Sequence, residues 1–244
     1  TYYWFGRAYS RKQGEADKHI FNVEGMNVRA CSTLDDDKGK GYALVSREIL
    51  LYKDKDTGEV LKTWDNPWTG ETVDVLHVAN DPVNFESYET GRDGKPIKFG
   101  GDVLGDKWQM SFTAPLWYPS PLASEYEAEI GGTYHATEMF NFMGDLDDLV
   151  DSTKNTARTA VGWARMSDWL PWMKMNGREG IIYMHTAGRK LDSWDELSDT
   201  MKKEIKMHYP EYVGPPPLGD PRDNMTSWEY YKEITEGTLK APRR

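Results

Sequence analysis

Trp64-Asp65-Asn66-Pro67-Trp68-Thr69-Gly70-Glu71-Thr72 runs directly into Val73-Asp74-Val75-Leu76-His77-Val78-Ala79-Asn80-Asp81-Pro82. The first half is a turn: the residue before a proline is held extended, and Thr-Gly closes the corner. The second half alternates and stops at another Asx-Pro. Val73, Val75 and His77 fall on one face of the predicted strand, and Asp74, Leu76 and Val78 on the other. A histidine in line with two valines points where the valines point, to a core or a pocket.

The same grammar of turn and alternation recurs on both sides. Residues 2–10, 19–31, 42–53, 60–64, 107–114, 158–166 and 180–186 read as strands, separated by polar tips such as Asp35-Asp36-Asp37-Lys38-Gly39. Gly6 reads as a bend, and Gly25, inside a long alternating run, is a device for curving a sheet. Pro115, Pro119 and Pro121 are expected to end the strand that starts at Lys107, and residues 85–105 read as a long loop. Helical spacing is read over residues 133–143, with Tyr134, Thr137, Glu138 and Asn141 on one stripe. A second helix over 193–208 has Asp192 or Ser193 as cap and an acidic first turn. A short third helix spans 227–236, after the Pro215-Pro216-Pro217 linker. Alternation rather than continuous apolar runs argues against a parallel α/β sheet. The expectation is a mainly β (α+β) fold of about eight strands. It forms an antiparallel up-and-down, lipocalin-like barrel or a deeply curled half-barrel with a few peripheral helices. Residues 1–214 form one domain, on which residues 215–244 pack.

Composition sets the bounds on partners. The 244 residues carry a net charge of −10 and no basic stripe, so a nucleic-acid backbone is repelled and is not an expected partner. No apolar run is long enough for a membrane helix. The single Cys31 leaves no disulfide framework and no cysteine metal cluster. The expected home is cytoplasmic, or secreted if an N-terminal signal has been trimmed. Ten Trp and fourteen Tyr supply large rings of the kind that build cores and line ligand cavities. Phosphate-binding loops, nucleophile elbows, zincin motifs and EF-hand loops are absent from the sequence, and no cofactor is expected.

Candidate chemistry is therefore carried by scattered side chains. His19, His77 and His185 each lie in a strand beside apolar neighbours. If those faces point inward, three imidazoles meet, and a histidine-ligated metal becomes an alternative reading. Tyr134 and Glu138 are four apart, so on a helix a phenol faces a carboxylate and could form an acid–base pair. Arg47 and Arg165 sit in apolar strands and need a carboxylate, from a ligand or from Glu24 or Glu48. Trp68, Trp163, Trp172, Tyr183, Met110 and Asn80 complete a set suited to lining a cavity.

The pattern His19-x-Phe21-x-Val23-Glu24-Gly25-x-Asn27, followed by Ser46-Arg47-Glu48, Asn66-Pro67-Trp68-Thr69-Gly70-Glu71-Thr72 and His77-Val78-x-Asn80-Asp81-Pro82-Val83-Asn84, resembles the family called domain of unknown function 1838. Tyr118-Pro119-Ser120-Pro121, Trp169-Leu170-Pro171-Trp172-Met173, Gly188-Arg189-Lys190-Leu191 and Thr226-Ser227-Trp228 are also similar to it. The resemblance spans nearly the whole chain and implies one domain, but no catalytic residues. From the residues themselves, the expected function is a cofactor-independent isomerase, cyclase or lyase. It acts by acid–base chemistry on a hydrophobic oxygenated small molecule such as a terpenoid, polyketide or aromatic. The candidate catalytic groups are His77, His185, Arg165, Arg47 and the Tyr134–Glu138 pair. The alternatives are a lipocalin-like carrier without chemistry and the metalloenzyme; a homodimer is compatible with either class.

Overall fold

The computed structural model describes residues 1–91, 93–97, 100–119, 133–175 and 177–242. They form twelve strands and three α-helices. Three long strands come first: β1 (Tyr2–Arg11), β2 (Lys18–Asp36) and β3 (Gly39–Lys53). Short strands follow: β4 (Thr63–Asp65), β5 (Thr72–Asp74), β6 (Val78–Asn80), β7 (Phe85–Tyr88) and β8 (Asp102–Leu104). Then come β9 (Lys107–Pro119), β10 (Thr133–Asp145), α1 (Leu146–Val150), β11 (Ala160–Ser167), β12 (Ile181–Lys190), α2 (Asp199–His208) and α3 (Ser227–Glu236). The main sheet runs β6-β3-β2-β1-β12-β11-β10-β9-β8, with β7 also on β3, while β4 and β5 form a separate hairpin. Every pairing is antiparallel. The sheet curls without closing, so the architecture is the half-barrel rather than the barrel.

Glycines set the curl. Gly6 lies opposite Thr186, and Gly188 and Gly25 both lie opposite Trp4. A Cβ on Gly6 would sit 2.0 Å from the His185 carbonyl oxygen, and one on Gly188 would sit 2.1 Å from that of Tyr3. A Cβ on Gly25 would sit 2.5 Å from Trp4 Nε1, so the indole lies over β2 where a side chain would otherwise stand. Backbones that approach this closely let β1 coil against both neighbours. The extent of the coil shows in the cavity of the concave face, which is lined by residues of β3 and of β10. Five strand steps separate these two in the sheet, about 24 Å if it were flat.

Both faces are covered near β2 and β3. On the concave side Phe21, Tyr52, Ile182 and Met184 pack with Trp169, Trp172, Met173 and Met175, the β4–β5 hairpin, and Trp228 and Tyr231 of α3. On the convex side Met26, Ile49 and Leu51 pack against Met201 and Ile205 of α2 and against Tyr209 and Tyr212. Arg47 ties this wrap down: Nη1 donates to the carbonyls of Glu211 (2.9 Å) and Gly214 (2.8 Å), and Nε faces Asp81 Oδ2 at 2.9 Å. Among the described residues no helix is long and apolar enough to cross a membrane.

Several expectations need correction. The opening stretch is not one strand after its turn. The Asn66 side chain accepts from the Trp68 and Thr69 amides (3.0 and 3.3 Å) and closes a hairpin, and the chain pairs again only at β6. Residues 133–143 are not helical but belong to β10. Positions four apart share a face in a strand as well as in a helix, but the strand splits the stripe, with Glu138 on the concave face and Thr137 and Asn141 on the other. Tyr, Thr, Phe and Met there suit a sheet. Pro115 does not end β9, which continues to Pro119. Among the described residues β8 pairs with β9 only as far as Gln109, and no described strand takes that edge of β9 beyond it, where a missing amide proton costs no ladder bond. Ser120 and Pro121 lie outside the described residues. The helix expected over 193–208 is a 3-10 turn at Trp194–Glu196 followed by α2, because Ser198 starts a new cap by accepting from the Met201 amide at 3.0 Å. Residues 85–105 contain β7 and β8, and the described residues form twelve strands where about eight were expected.

Candidate functional site

Strand alternation delivers one set of side chains to the concave face: Tyr2 and Trp4 from β1, Asn27 and Arg29 from β2, Glu48 from β3, Asn80 from β6, Glu138, Phe140 and Phe142 from β10, and Val161, Trp163 and Arg165 from β11. They line a cavity of about 80 Å³, with Ser227 at the start of α3 on its rim. Register sets the polar end. Asn27 lies opposite Glu48, and Glu48 opposite Asn80. Asn27 is buried and uses both ends of its amide: Nδ2 donates to Glu48 Oε1 (3.2 Å), and Oδ1 accepts from Arg29 Nε (2.6 Å). The Arg29 guanidinium lies 4.6 Å from the centre of the Tyr2 ring. On the facing wall Arg165 Nη1 donates to Glu138 Oε1 at 2.9 Å, on neighbouring strands paired in register.

Aromatic rings complete the walls. Trp4 and Trp163 lie 6.4 Å apart with planes tilted by 49°. Phe140 stacks on Phe142 at 6.1 Å and on Phe112 at 4.8 Å, and Tyr2 meets Phe142 edge-on at 6.0 Å. In these surroundings burial pushes the Glu48 carboxyl up from the usual range. The charge of Glu138 pushes it the same way, against the pull of Arg29 and of hydrogen bonds from Asn27 and Asn80. Burial lowers the Arg29 pKa, and Tyr2 and Glu48 offset part of that. The arrangement can hold a proton on Glu48 at a pH where an ordinary glutamate has lost it, beside a flat apolar wall and two guanidinium groups.

Of the residues singled out in the sequence, Arg165, Glu138, Asn80 and Trp163 meet here. The carboxylate partners differ from expectation. Arg165 takes Glu138 and Arg47 takes Asp81, whereas buried Glu24 on the convex side takes Lys53 at 2.7 Å and Tyr3 at 2.9 Å. Arg47 therefore lies on the opposite face of the sheet. The three strand histidines do not converge. His77 is buried as the valines predicted, but its Nδ1 accepts from the Tyr52 amide (2.9 Å) and its Nε2 faces the Leu61 carbonyl (3.0 Å). The proton is thus assigned to Nε2, and both nitrogens serve the backbone. His185 is exposed on the convex face. Between Ala8 and Tyr9 the β1–β2 register shifts, with Phe21 opposite Ala8 and His19 opposite Tyr9. The extra residue, Ile20, turns His19 to the face away from Phe21, where it meets Tyr9 and, beyond it, Tyr183. Among the described residues no group of three or more His, Cys, Asp or Glu is placed to hold a metal ion.

The remaining candidates sit outside the cavity. Trp172 belongs to the concave core. Trp68 packs on Trp64 and Trp169 beneath Arg178 and Lys18. Met110 lies opposite Phe142 on β9, one strand beyond the wall. Tyr134 shares a strand with Glu138, and its side chain lies outside the described residues. Sequence reading missed Asn27 and Arg29, and gave Glu48 only as a partner for an arginine. The available signal was the polar pair Asn27 and Arg29 continuing the inward face that carries Val23 and Gly25.

Fold and site together define an open antiparallel β half-barrel with an aromatic, carboxyl-bearing cavity on its concave face. The chain matches the family model described as "Protein of unknown function (DUF1838)" over residues 1–235 and belongs to that family. No curated protein and no solved structure matches it.

Proposed function

We propose that this protein is a cofactor-independent enzyme that moves a proton on a small, flat, oxygenated substrate, with Glu48 as the acid–base group. The observation carrying this reading is the Glu48 carboxyl, pushed up by burial and by Glu138 at the end of an aromatic cavity. The substrate lies against Trp163 and Phe140, and Arg165 binds its oxygen. Glu48 gives a proton to the substrate and takes one back from a neighbouring atom, so the group ends as it began. An isomerisation, a cyclisation or an elimination fits this balance. About 80 Å³ is room for on the order of five waters, which favours a single ring over a polycyclic terpenoid.

The test uses ligands found in a small-metabolite binding screen, incubated with wild type and with Glu48→Gln. Turnover should fall roughly 10²- to 10⁴-fold in the variant with binding retained. The wild-type rate should decline as pH rises through the raised Glu48 pKa, because the proton-donating form is lost. Equal turnover by Glu48→Gln would remove Glu48 from the chemistry. Ligands returned unchanged from prolonged incubation would make the protein a carrier.

A further inference from the structure

Arg29 is a cation in need of an anion. Its Nε is spent on Asn27 and its face on the Tyr2 ring. Among the described residues no carboxylate lies within ion-pair distance of it, whereas Arg165 on the facing wall already has Glu138. The nearest acid on its own side of the cavity, Glu48, is the one whose ionised form is disfavoured. Asn27 and Tyr2 hold the guanidinium from two sides, which fixes its orientation and leaves its terminal nitrogens uncommitted. A planar fork held in this way matches a carboxylate, which can accept two parallel hydrogen bonds. Leaving it unmatched in a half-buried site is costly, and a ligand anion removes that cost. The rings of Trp4, Trp163 and Phe140 stand within the same cavity, so a group attached to that carboxylate meets aromatic faces.

We propose that Arg29 is the anchor for a substrate carboxylate and that the cavity takes small aromatic monocarboxylic acids, with the acid group on Arg29 and the ring against Trp163 and Phe140. The proposal rests on the concave cavity being the site of the proposed function and names the substrate class for it. In that pose the carboxylate lies beside Asn27 and Glu48, and Glu48 faces the atoms next to it.

The experiment is calorimetric titration of the full chain with benzoate, phenylacetate and cinnamate, each paired with its primary amide. Wild type should bind at least one acid roughly 10- to 100-fold more tightly than its amide, the range expected for charge-assisted hydrogen bonds. Arg29→Gln should erase that preference, and Lys18→Gln, which changes an exposed cation outside the cavity, should keep it; thermal melting verifies that each variant is folded. Should Arg29→Gln fail to fold, Arg29→Lys, which keeps the charge but loses the planar fork, should narrow the acid-to-amide ratio, and an unchanged ratio would overturn the anchor. Acids and amides that bind equally well would overturn the carboxylate anchor and leave the cavity as a site. If neither series binds, the anchor and the cavity reading both fall.

Discussion

Glu48 and His77 show how differently two polar side chains are treated in one fold. His77 has a backbone partner on each ring nitrogen and stacks against Tyr52 at 5.8 Å, so it behaves as part of the core. Glu48 is kept in a cavity that opposes its charge. A carboxyl with a raised pKa binds its proton more tightly in the folded chain than in the unfolded one. It therefore favours folding at low pH, and the contribution is lost as pH climbs from the unfolded value of 4.5 through the folded one. Glu48→Gln should raise stability at pH 8, because the variant has no charge to be buried there. The gain should vanish near pH 4, which urea unfolding at the two pH values will measure. Such a change, more stable and less active, is the usual mark of a group held against its preference for function. A similar economy applies to Asn224. Its Oδ1 accepts from the Asn84 amide at 2.5 Å and its Nδ2 donates to the Asn84 carbonyl at 2.9 Å, so both ends of its amide serve the backbone.

At the scale of the element, β1 is the hinge of the curl. Both its neighbours meet it at glycines, and a methyl group at Gly6 or Gly188 would enter the backbone of the next strand. Gly6→Ala and Gly188→Ala should each destabilise by about 2–3 kcal/mol, read as a lowered urea midpoint. Gly25→Ala presses only on the Trp4 ring and should cost less. These glycines also mark how far the sequence could be read. Gly25 in an alternating run signalled curvature, and the sheet is curved. The capped helix after Thr226 is where residues 227–236 placed it, with the Thr226–Glu229 capping box formed. Alternation itself was legible because period two is local. What was not legible depends on partners distant in the chain. The bulge at Ile20 that turns His19 away leaves no local trace. The meeting of Asn27, Glu48 and Asn80 needs two registers, and that of Arg165 with Glu138 a third. The β10 segment was misread because four-residue spacing fits both periods.

For the molecule as a whole, one sheet carries two cores, and the C-terminal segment holds the concave one shut. Trp228 of α3 is 2% exposed and packs in the same cluster as Trp172 and Tyr231, while Ser227 beside it touches the cavity rim. Trp228→Ala should cost about 3–5 kcal/mol, the range for losing a buried aromatic ring. It should also weaken ligand binding in the cavity, measured by denaturant titration and calorimetry on the same variant. A half-barrel keeps what a barrel abolishes, two rims of unpaired backbone. Among the described residues the rim on β9 runs past Gln109, and Pro115 and Pro119 stand there four residues apart, so their nitrogens face the same edge. With β10 occupying the other side, that edge lacks two of the donors a further strand would need. The prolines thus act as chain terminators for the sheet along this edge, where an incoming strand would find gaps in the row of donors.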